Sequence, residues 1–275
     1  MTYFLDFRTQ NVGGAVIDPQ LYKGDATGPA SSWVLIPPIQ IPSHLAGKNI
    51  LFGTHGFNVS QQQGAKSLGL LDKYLELSLP DVFVAILWPG DSVIPIVDYP
   101  FEGDVAIDCG GRLATFCNDS CASAQTLSFV SHSLGARLVL QAVANLNRKA
   151  QSVCLAAAAI NRDCLSAEYA AAATKAERIS LLASREDFVL KIAFSVGDPF
   201  ADLLHDDHTP FQMALGSEGP PIPPPQQVRP PWQISDQDDY GHSDYLPPTD
   251  PARWPRAADF MKRAFLGQPQ TWPSS

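Results

Sequence analysis

Short apolar runs rich in β-branched and aromatic residues recur at Trp33–Ile36, Asn49–Gly53, Val82–Trp88, Leu127–Ser131, Ser152–Ala157 and Ile179–Ala183. Each is too short for a buried helix and has the composition of a buried strand. Helical spacing fills several of the gaps. Ala65, Leu68, Leu71 and Leu75 follow the second run, and Ala136, Leu140, Val143 and Leu146 follow the fourth. Strand and helix therefore alternate, which predicts an α/β fold with a mostly parallel sheet covered on both faces.

Two further helices are expected. One spans about Ser166–Arg178, an alanine-rich stretch behind a serine suited to capping, and leaves little room for a large lid. The other spans about Pro251–Phe265, with Trp254, Ala258, Met261 and Phe265 on one face and Pro251 in the first turn. A strand at Trp232–Ser235 is expected between them. From Gly216 to Pro231 seven prolines fall in sixteen residues, which removes backbone donors and predicts an extended excursion that is either a stiff surface loop or a wall beside a site. No internal repeat is present, and at 275 residues a single α/β domain over residues 1–275 is expected.

Composition narrows the function classes. Hydrophobic residues make up 45% and charged residues 17%, which is globular. A formal charge of −9 with no basic block disfavours nucleic acid as a partner. Apolar runs such as Leu155–Ile160 fall well short of the ~20 residues of a bilayer helix, so stable membrane insertion is not expected. The start, MTYFLDFRTQ, carries Asp6 and Arg8 in and beside its apolar stretch and does not read as a signal peptide. Five cysteines are an odd number in a chain that needs no staples, so free thiols in a reducing cytoplasm are the simplest reading. Cys117 and Cys121 are close enough in sequence to pair or to join a metal site, but no second close cysteine pair accompanies them.

The strongest local signal is LSFVSHSLGARLVL, an apolar strand that ends at Ser131, a turn at His132-Ser133-Leu134-Gly135, and a helix. A serine on a strained strand-to-helix turn needs small residues two positions away on each side, and Ser131 and Gly135 meet that need. A second signal is ILFGTHGFNVS, a strand that runs into Thr54-His55-Gly56-Phe57-Asn58. For a base, His242 lies in the polar loop ISDQDDYGHSDYLP just before the last helix. For an acid, Glu186 and Asp187 follow the Ile179–Ala183 strand, and Asp163 follows the strand before it. His205 and His208 lack the i, i+4 pairing of zinc hydrolases and read as a solvated acidic loop, and Asp236, Asp238, Asp239 and Asp244 around His242 read as turn formers.

These strings resemble the α/β-hydrolase superfamily, whose elbow usually has glycine where Ser131 stands. Trp88-Pro89, the His-Gly-Phe-Asn string and Gly241-His242-Ser243 are similar to a branch of uncharacterised bacterial serine hydrolases over about Asn49–Leu246. The resemblance implies that Ser133 is the nucleophile, Asp187 the acid and His242 the base, in the chain order serine, acid, histidine. It implies the backbone amides of Phe57 and Leu134 as oxyanion donors, and a structural His55. The activity implied is hydrolysis of a small ester through an acyl-enzyme, with no metal or organic cofactor. Thioesterase, amidase and acyltransferase chemistry use the same residues, and a catalytically silent binding module is the alternative of another class.

Overall fold

The computed structural model describes residues 1–91, 99–195 and 213–272. The chain opens with an antiparallel pair, β1 (Thr2–Arg8) and β2 (Val16–Gly24), followed by the two-residue β3 (Val34–Leu35) and a short helix α1 (Ile41–Leu45). Then come β4 (Asn49–Thr54), α2 (Gln61–Leu75), β5 (Asp81–Leu87), α3 (Tyr99–Ser120), β6 (Thr126–His132), α4 (Gly135–Ala144), β7 (Ser152–Ala156), α5 (Ala170–Lys175) and β8 (Ile179–Leu182). The chain finishes with α6 (Phe188–Ser195), α7 (Leu215–Glu218), β9 (Val228–Arg229) and α8 (Trp254–Leu266). The strands form one sheet in the order β3-β2-β1-β5-β4-β6-β7-β8-β9, parallel from β1 through β9.

The central strands are apolar on both faces because both are covered. Ile50, Phe52, Val84, Ile86, Leu127, Phe129, Val153 and Leu155 point into one core layer beneath α3, α4 and α5. The residues between them, such as Leu51, Phe83, Ala85, Val130 and Cys154, point into a second layer beneath α2 and α8. The period of two thus carries apolar residues at every position, as in buried parallel sheets. Phe52 stacks on Phe129 with centroids 5.4 Å apart, locking β4 to β6.

This topology sets where a site can form. After β4 the chain turns through α2 towards β5, whereas after β6 it turns through α4 towards β7. The connections part between β4 and β6 and open a crevice at the carboxyl ends of these strands.

Several expectations need correction. The Trp33–Ile36 run is an edge strand of two residues, with Val34 and Leu35 exposed; the buried members are the flanking Trp33, stacked on Phe4 at 4.1 Å, and Ile36. The expected helix over Ser166–Arg178 shrinks to Ala170–Lys175, because the Asp163 and Cys164 carbonyls hold Ser166–Tyr169 in turns. The last helix starts at Trp254 with Pro255 in its first turn, since Asp250 draws the amides of Ala252, Arg253 and Trp254 into a preceding turn. The strand expected at Trp232–Ser235 is instead β9, inside the proline-rich excursion. Gln227 O accepts from Ile179 N, and the chain then continues alongside β8 as far as the bridge between Gln233 and Ala183. The excursion therefore descends the sheet edge from Gly216 and returns as a strand. All five cysteines are buried and none forms a disulfide, with Cys117 hydrogen-bonded to Cys121 and its thiol pushed up by burial. Among the described residues no helix is long and apolar enough to cross a membrane.

Candidate active site

At the end of β6 the chain reverses in one residue. Ser133 has φ 54°, a left-handed conformation rare for a side chain with a Cβ. The turn is held from both sides: Ser133 N donates to Ala156 O at 3.0 Å, and Ser133 O accepts from Ala136 N and Ala159 N. The glycines make this turn fit. A Cβ on Gly135 would stand 2.5 Å from His55 O, and one on Gly56 would stand 2.8 Å from Ser133 Cβ. The His55-Gly56 segment thus presses directly on the serine, with Phe57 next along the chain. Leu134 is the N-cap of α4, so its amide lies outside the helical ladder, at the positive end of the helix dipole. Ser131, where glycine is usual, is accommodated, but its hydroxyl is buried without a hydrogen-bond partner.

The acid and the histidine arrive from the far end of the sheet. Asp187 follows β8, is fully buried, and accepts from Leu190 N through Oδ1 at 3.0 Å. Its Oδ2 lies 2.7 Å from His242 Nδ1, and His242 Nε2 lies 2.9 Å from Ser133 Oγ. An ionised carboxylate only accepts, so Nδ1 carries the proton and Nε2 is bare to accept from the serine hydroxyl. The structure thus joins Ser133, His242 and Asp187 in one hydrogen-bonded chain.

The other acids stay apart. Glu186 is exposed, and Asp163 serves its turn through its carbonyl. The acids near His242 face arginines: Asp244 and Asp239 bind Arg253, and Asp238 binds Arg256. His205 and His208 lie outside the described residues. Among the described residues no group of three or more His, Cys, Asp or Glu could hold a metal ion.

Two histidines flank the chain of three. His55 is buried, its Nδ1–H donates to Gly56 O at 2.9 Å, and its ring stacks on Trp88, whose indole N–H donates to His55 O at 3.0 Å. Burial drives its pKa down to about 3, so it is neutral. His132 binds the main chain of His242 at 2.7 Å.

A buried polar network, unforeseen from sequence, underlies the His-Gly-Phe-Asn loop. Arg8, at the end of β1, forms an ion pair with Asp91 and donates to Val59 O at 3.0 Å. Asp91 also accepts from Gly13 N, Asp6 accepts from Gln61 and Arg8 N, and Asn58 N donates to Gly90 O. Burial, partly offset by these bonds, raises the Asp6 pKa to about 6.

A parallel sheet that carries a strained serine turn at the end of a central strand, with a histidine and a buried aspartate aligned on it, defines an α/β hydrolase. A family model described as "Alpha/beta hydrolase of unknown function (DUF900)" matches residues 40–219, well over half of the chain, and the chain belongs to that family. The matched span holds Ser133 and Asp187 and ends before His242. No curated protein matches the chain.

Proposed function

We propose that this hydrolase-fold chain is a serine carboxylesterase. The observation that carries the reading is the alignment of Ser133 Oγ, His242 and Asp187 at 2.9 and 2.7 Å, with the serine in a strained turn. On this reading Ser133 attacks an ester carbonyl as its proton passes to His242 Nε2. The developing imidazolium is stabilised by Asp187, which also holds its tautomer. The amides of Phe57 and Leu134 bind the oxyanion, a contribution of about 3 kcal/mol per donor. His242 then protonates the leaving alcohol, and water releases the acid by the same route in reverse.

Small esters are favoured because α5 is short and no large lid is present among the described residues. The chemistry needs no metal and no organic cofactor. The test is hydrolysis of p-nitrophenyl esters of graded acyl length, with and without EDTA. Turnover of the short esters that survives chelation, and that Ser133→Ala abolishes, supports the proposal. Turnover that EDTA abolishes, or that the Ser133→Ala protein retains, contradicts it.

A further inference from the structure

His132 precedes the serine and has no part in the proton path proposed above, yet its ring makes a specific bond. Its Nε2 lies 2.7 Å from the backbone oxygen of His242. A carbonyl oxygen only accepts, so Nε2 must carry a proton, and in the neutral ring Nδ1 is then bare. Nδ1 faces Gly56 so closely that a Cβ there would come within 3.0 Å of it. The ring also lies 5.0 Å from the His242 ring and 6.1 Å from that of Tyr245. His132 is therefore held by the His55-Gly56 segment on one side and by the His242 loop on the other.

The loop that presents His242 is anchored by the buried Tyr240 and Tyr245 and by bonds to α2 and α8. It lies outside every helix and strand. Gly241 N donates to Asp244 Oδ2, and Asp244 is tied to Arg253; Tyr240 donates its hydroxyl to Arg253 O. These bonds fix the loop to the start of α8. Of these main-chain bonds, the one from His132 ties His242 to the strand that carries the serine.

We propose that His132 is a positioning residue: its Nε2–H holds the main chain of His242 so that the imidazole meets the Ser133 hydroxyl. The inference rests on the esterase reading only for its kinetic arm. A displacement of about 1 Å between reacting groups is worth on the order of 100-fold in rate, so a clamp between adjacent β6 and an irregular loop has leverage. The groups facing the ring are His242, Asp187, Tyr245 and His55. Burial, together with the nearby His242, holds its pKa to about 4, so the clamp stays neutral and does not repel an imidazolium formed on His242.

Two arms test it. In the wild-type protein, ¹⁵N NMR of the histidine rings is expected to show His132 protonated at Nε2 alone and not titrating between pH 5 and 8. An Nδ1–H tautomer, or titration near 6.5, overturns the proposal. For the kinetic arm, the rate of fluorophosphonate capture at Ser133 is compared in His132→Gln, whose amide nitrogen mimics Nε2, and His132→Phe, which keeps the ring without the donor. The clamp predicts Gln within a few-fold of wild type and Phe lower by about 10- to 100-fold, with KM for an ester little changed. A packing role predicts the opposite order, and Phe matching or exceeding Gln overturns the proposal. If the Phe protein does not fold, the NMR arm decides. Failure of the wild-type protein to capture the probe counts against the esterase reading and leaves the tautomer assignment to stand or fall by NMR.

Discussion

The serine turn and the amino-terminal hairpin both reach the same crevice, but they are encoded differently. The turn is local: strand, small residue, serine, small residue and helix lie within Leu127–Leu140, and each serves a contact with its neighbours. The hairpin is non-local. β1 inserts beside β5, some 80 residues away in sequence, and its carboxyl end buries Asp6 and Arg8 at 5% and 4% exposure. Those charges interrupt the apolar stretch in the sequence, yet in the fold they are paired with Gln61 and Asp91. The difference teaches that apolar periodicity finds strands whose burial is satisfied by side-chain chemistry alone. It passes over strands whose buried charges are satisfied by distant partners.

Substitutions that sharpen this comparison fall in a clear order. The largest effects belong at the turn. Ser133→Ala and His242→Ala are each expected to lower ester turnover by about 10⁴-fold or more, with urea midpoints little changed. Asp187→Asn is expected to cost about 10⁴-fold and Asp163→Asn less than about threefold. The reverse order, read from kcat/KM, would reassign the acid.

In the hairpin the effect is on stability. Arg8→Met leaves Asp91 buried without its cation and is expected to cost about 3–5 kcal/mol in urea unfolding, with slower turnover because the Val59 carbonyl loses its anchor. Adding Asp91→Leu should restore most of the stability. A neutral Arg8→Met would break the comparison, because the hairpin charges would then not be what ties β1 to the loop.

Smaller effects follow from protonation. The pKa of Asp6 is raised to about 6, so its contribution to stability is present at low pH and is lost as pH rises from about 4 to 6. His55 and His132 are depressed to about 3 and 4, so theirs is present above 6.5 and lost as pH falls from there. Asp6→Asn is thus expected to raise stability by about 2 kcal/mol above pH 6 and to steepen the loss on acidification. Urea unfolding at pH 4.5, 6 and 7.5 reads both. The smallest change is Ser131→Ala, which removes an unpartnered hydroxyl and is expected to shift stability by less than about 1 kcal/mol and turnover by less than about twofold.

What was legible in the sequence follows the same line. β4 to β8 were readable because both faces of each strand are apolar, and the serine turn because its steric demands fall on adjacent residues. Helix α3 was missed because Gly110 and Gly111 break its pattern. Yet Gly110 is where α3 closes on α4, a Cβ there falling 2.6 Å from Leu138 O. β9 was missed because prolines surround it, although Val228 and Arg229 themselves pair in register with Ile179 and Ser180 at the sheet edge. His132 is only a member of the serine turn in the sequence, and the fold alone brings it onto the His242 carbonyl.

The most direct test of the central claim is fluorophosphonate labelling of the intact protein read by mass spectrometry, with Ser133→Ala and His242→Ala as controls. The account predicts a single adduct at Ser133 that both substitutions abolish. Absence of an adduct on the folded wild-type protein, or an adduct on another residue that persists in both variants, would contradict it.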